Sequence, residues 1–65
     1  MKKLEQKHRS AAITHDAAAT RHEEAARLWS ERGNDARAEI ERRNAVLERG
    51  MAQLERDRAE LERTA

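Results

Sequence analysis

Two seven-residue repeats, written in different alphabets, divide the chain. In the first half His8 is followed by Ala11 and Ala12, His15 by Ala18 and Ala19, and His22 by Ala25 and Ala26; Trp29 then takes the histidine's place. With neighbours set by the helical period, each histidine falls between two alanine columns on one face, which Leu4 joins. The second half repeats Ala-x-Leu-Glu-Arg-x-x. Its alanines are Ala38, Ala45, Ala52 and Ala59, and its aliphatic column is Ile40, Leu47, Leu54 and Leu61. Glu41, Glu48, Glu55 and Glu62 follow that column, and Arg42, Arg49, Arg56 and Arg63 follow them. Such a repeat predicts a long helix with a hydrophobic seam. The companion column, Asn44, Met51 and Arg58, has one apolar member, so the seam is narrow and its polar members are placed to set register or partner number.

Gly33-Asn34-Asp35 separates the halves. Glycine suits the left-handed position past a helix end, and Asn or Asp suits the N-cap of the next helix. The predicted elements are a helix over about residues 3–32, a turn at 33–35 and a helix over about 36–63, each helix roughly 42–45 Å long. Arg32 would close the first helix and Glu39 would lie early in the second, as the helix dipole favours. Folded about that turn, His8 would meet Leu61, His15 Leu54, His22 Leu47 and Trp29 Ile40, with Ala18 across from Met51. The expected interface and core are therefore Leu4, His8, His15, His22, Trp29, Ile40, Leu47, Met51, Leu54 and Leu61. One column, Ala12, Ala19, Ala26, Gly33, Ile40 and Leu47, keeps its register straight through the turn, so a continuous coiled-coil helix about 95 Å long is the alternative.

Composition sharpens this picture. Of 24 hydrophobic residues in 65, 13 are alanine, and β-branched and aromatic residues are scarce. The few large apolar side chains are too spread out to wrap a globular centre, but they are enough to line helices. An all-α, antiparallel helical hairpin forming a single domain over 1–65 is expected, with two hairpins pairing into a four-helix bundle. The net charge of +1 gives no global pull toward nucleic acid or a membrane. The first nine residues are basic, yet no apolar run follows them, so no signal peptide is expected. Without cysteine there is no disulfide framework or thiolate chemistry. A cytoplasmic protein is the default expectation.

The histidines are the candidate chemistry. Spaced by seven, neighbours lie about 10.5 Å apart along the helix, too far for one metal ion. His8, His15 and His22 would bind a metal only with help from a second chain, and they would otherwise fill a polar seam or sense pH. Glu5 and His8 form a Glu-x-x-His pair of the kind used in di-metal bundles, but no further carboxylates have an evident place on the seam. Arg42, Arg49, Arg56 and Arg63 form a stripe that could meet nucleic-acid phosphates. A glutamate precedes each of them and no aromatic interleaves, so a solvated face with pairs such as Glu39–Arg43 and Arg56–Glu60 is the favoured reading. Ile13 and Leu28 fall off the main seam of the first helix, where a second interface would use them. No catalytic motif or cofactor pocket is recognisable.

From His15 to Ala38, through the His-x-x-Ala-Ala repeats and the Gly33-Asn34 turn, the chain resembles a loose set of small uncharacterised bacterial His/Ala-repeat helical-hairpin proteins. Gly33-Asn34 with Ala38 is also similar to the inter-helix loop of tetratricopeptide-type hairpins, whose remaining pattern is missing. The resemblance implies a helical hairpin and no activity. The expected function is a non-enzymatic helix-helix association module, self-oligomerising or docking on another coiled-coil protein. A small nucleic-acid-binding regulator of hairpin-dimer type and a metal- or pH-responsive bundle are the alternatives.

Overall fold

The computed structural model describes residues 2–65 as two α-helices, α1 (Lys2–Glu31) and α2 (Asp35–Thr64), packed against each other as a hairpin. A straight 30-residue helix is about 45 Å long, and the Cα trace measures 49 × 12 × 9 Å. The helices therefore lie side by side over their whole length, and the continuous rod is excluded.

Local chemistry accounts for the reversal. Gly33 takes a φ of 76°, open to glycine at little steric cost. Its N–H donates to the Ser30 carbonyl at 2.9 Å and the Asn34 N–H to the Trp29 carbonyl at 2.9 Å, which satisfies two of the free carbonyls at the end of α1. Asn34 then opens α2: its side-chain oxygen accepts from the Arg37 N–H at 3.1 Å, and Asp35 adds a carboxylate to the first turn. Arg32 lies just beyond α1. Its guanidinium sits 5.5 Å from the Trp29 ring, with that of Arg37 at 4.8 Å on the same ring, so the half-buried indole is held by two cations at the closed end.

The seam differs from the one expected. The buried side chains are Ala12, Ala19 and Ala26 of α1 and Ala38, Ala45, Ala52 and Ala59 of α2, joined by Glu55. Among the described residues no large apolar side chain is buried. Leu47 keeps 67% of its surface exposed, Leu61 70%, and Met51 and Leu54 42% each. The expected facing of His8, His15, His22 and Trp29 with Leu61, Leu54, Leu47 and Ile40 is therefore corrected: α2 turns its alanine and glutamate columns toward α1. The cause is size. Methyl side chains let two backbones approach to the near end of the usual separation of about 8–10 Å. At that distance a histidine reaches across to a carboxylate, an arrangement a leucine layer would block.

Candidate functional site

Three strips run the length of the hairpin, and their residues follow from the two heptads. The seam holds the alanines and three cross-helix rungs. His8 Nδ1 lies 2.6 Å from Glu55 Oε2, His15 Nδ1 2.6 Å from Glu48 Oε2, and His22 Nδ1 2.9 Å from Glu41 Oε2. A carboxylate only accepts, so each imidazole carries its proton on Nδ1 and donates across the seam. The His8 hydrogen bond, with Arg58 adding a second at 2.5 Å, holds the Glu55 carboxyl below the ordinary carboxylate range. Successive rungs are one heptad apart, so a single ion cannot bridge two of them. Among the described residues no group of three His, Asp or Glu side chains is placed to hold a metal. Glu5, the other half of the Glu-x-x-His pair, accepts from Arg9 instead.

A polar flank lies on one side of this seam. Arg49 donates to Glu23 at 2.8 Å and Asp16 at 3.2 Å, and Arg56 donates to Asp16 at 2.8 Å. Glu23 foremost, then Asp16, pushes the Arg49 guanidinium pKa upward. The rest of the arginine stripe is also engaged: Arg42 pairs with Glu39 at 3.1 Å and Arg63 with Glu60. Glu39 also pairs with Arg43, as the spacing suggested. The expected Arg56–Glu60 contact gives way to Arg56–Asp16, because Glu60 is taken by Arg63. With every member of the stripe paired, contact with phosphate would first have to break these links.

The opposite flank is apolar. Along α1 it carries Leu4, Ala11, Ala18, Ala25 and Leu28, and along α2 Ile40, Leu47, Met51, Leu54 and Leu61, with Asn44 and Arg58 one heptad either side of Met51 and Lys7 and Arg21 at the edge. Its seven large side chains keep between 42% and 70% of their surface. Ile13 and Val46 are exposed too, but Ile13 and Leu28, expected together off the main seam, lie on opposite flanks, Ile13 beside the ion-pair network. Surface depressions are open: one is lined by Lys3, Leu4, Gln6, Lys7 and Ser10 on α1 alone, and another bridges the helices between Arg9, Ile13, Asp16 and Arg56. No helix of the described residues is long and apolar enough to cross a membrane.

Sequence reasoning selected the histidines and the leucine column but missed Glu41, Glu48 and Glu55 as rung partners and Asp16 and Glu23 as partners of Arg49. The signal was present in the spacing: each histidine lies four residues before a seam alanine, and each of these glutamates lies three after one. No family model, curated protein or solved structure matches the chain.

Proposed function

We propose that the protein is a non-enzymatic helix-helix association module whose working surface is the apolar flank of the hairpin. The observation that carries the reading is a core made of alanine beside a full-length stripe of uncovered large apolar side chains. The seven flank residues retain about three and a half fully exposed side chains' worth of surface. At roughly 1.5–3 kcal/mol for each complete burial, covering them is worth on the order of 5–11 kcal/mol per chain. That equals the whole stability of many domains, about 5–15 kcal/mol, so a helical partner on this flank would decide whether the hairpin stays folded. Homo-oligomerisation and a coiled-coil adaptor role both use this surface, and a cytoplasmic, bacterial setting belongs to the same reading. The test replaces Leu47 and Leu54 together by Asp. Loss of assembly together with helicity, by sedimentation and circular dichroism, is the expected result; a double variant that keeps its helicity and its mass would sink the reading.

The rungs favour a second reading, in which the seam answers to pH. A protonated imidazole is a stronger donor to a carboxylate than a neutral one. This reading expects the melting temperature to differ between neutral and mildly acidic solution. Melting curves that superimpose between about pH 7.5 and pH 5.5 would retire it.

A further inference from the structure

We infer that the occupant of the apolar flank is a second copy of this chain, seated so that α1 of each copy packs antiparallel against α2 of the other in a closed four-helix ring. This rests on the association reading above and names its partner and arrangement.

Three features of the hairpin support it. The first is the angle between faces. At about 100° per residue, the seam face of α2, between its alanine and glutamate columns, and its flank face, between the Met51 and Leu47 columns, diverge by about 110°. On α1 the seam face and the Ala18 column diverge by about 90°. Faces near a right angle close four helices into a ring, whereas opposed faces would extend an open layer. Both flank faces lie on the same side of the hairpin, because the Arg49 and Arg56 links to Asp16 and Glu23 occupy the other side. One further hairpin therefore covers both helices at once.

The second feature is size. The face is 49 Å long in the Cα trace, and two helices side by side are roughly 20 Å wide with side chains. This is on the order of 1,000 Å², which reaches the ~800 Å² per partner of a standard stable interface.

The third feature is an asymmetry of side-chain volume. The centre of the flank is small on α1, at Ala11, Ala18 and Ala25, and large on α2, at Leu47, Met51 and Leu54. A two-fold axis parallel to the helices sets the large column of each copy on the small column of the other, so both new contacts have the same depth. The other two-fold pairing, about an axis across the helices, sets leucines on leucines and alanines on alanines. That gives one thick contact and one thin one, which close only as a wedge and not as an even ring.

The chain contains no cysteine, so single cysteines report the pairing. The rungs pair His15 with Glu48 and His22 with Glu41, so Ala18 lies level with Leu47 near the middle of the hairpin. An axis along the bundle keeps that level and brings Ala18 to the partner's Leu47, whereas an axis across it brings each residue near its own copy. Ala18→Cys and Leu47→Cys would be prepared separately, refolded together in equal amounts, checked for helicity and mass, and oxidised mildly. The inference expects the mixed disulfide to exceed its statistical half and each variant alone to cross-link poorly. Predominant Leu47→Cys homodisulfide in a dimer would overturn the arrangement and leave the association reading standing. A folded, monomeric unsubstituted chain at high concentration would overturn self-pairing. If that monomer bound phosphatidylserine vesicles through Lys7, Arg21 and the leucines, the association reading would fall as well.

Discussion

Replacing Ala19 by leucine should unravel a seam that the same change two residues earlier leaves alone. Ala19 has no exposed surface and sits between the His15–Glu48 rung at 2.6 Å and the His22–Glu41 rung at 2.9 Å. A leucine adds three carbons where a methyl group already touches the opposite helix. Overpacking of this kind costs about 1–3 kcal/mol. If the helices part by about 1 Å to admit it, the adjoining rungs pass beyond the ~3.2 Å limit of a good N–H···O bond. Each rung is part-exposed, so its loss adds about 1 kcal/mol rather than the upper figure for a charged hydrogen bond. With both rungs lost the total is roughly 3–5 kcal/mol, or on the order of 12–40 °C in Tm for a chain of this size. Ala17 is exposed on the outer face of α1, and Ala17→Leu should stay within about 0.5 kcal/mol of the parent. Paired thermal melts by circular dichroism at matched concentration read the difference. Equal melting of the two variants, or a more stable Ala19→Leu, would refute the alanine seam and return the leucine column to the contact between α1 and α2.

Other substitutions probe the backbone and the rungs. Gly50 lies inside α2, and a methyl group added at its Cα would meet nothing within 4 Å. Gly50→Ala should stabilise by about 0.5–1 kcal/mol in chemical denaturation, because the helix loses a residue with excess backbone freedom. Gly33→Ala should cost about 1–2 kcal/mol in the same assay, since an L side chain is strained at a φ of 76°. Glu55 has its folded pKa lowered, first by His8 and then by Arg58. Its contribution is therefore present above the ordinary carboxylate pKa and is lost as pH falls through the lower folded value. The gap in Tm between the parent and Glu55→Gln should be open at neutral pH and close in acid; a gap that is constant down to about pH 3 would show that the carboxylate charge plays no part.

Much of this fold was legible in the residues, and the part that was not has one physical origin. Gly33 and Asn34 announced the turn, because few residues accept a left-handed φ or cap a helix start so well. The heptads announced two helices of matched length. The contact between them was misassigned because hydrophobicity ranks Leu47 and Leu54 above Ala45 and Ala52, whereas close packing of two helices ranks them by size. Complementary charge at the same period, histidine on α1 and glutamate on α2, was the clue that a polar and small seam could hold together. The ion-pair flank was harder to read: Arg49 reaches Asp16 and Glu23 only once the true register is known, and within α2 alone its neighbours suggest nothing of that pairing. The leucine column kept its association role in the proposal, but moved from the inside of the hairpin to its outside.

Small-angle scattering with absolute mass, on the purified chain at neutral pH, tests the central claim most directly. An assembly of twice the 7.5 kDa chain mass, with a largest dimension near the 49 Å of the hairpin itself, is the result expected when a second copy covers the apolar flank. A stable, fully helical particle of single-chain mass would contradict it, because the leucine stripe would then face water at no cost to the fold.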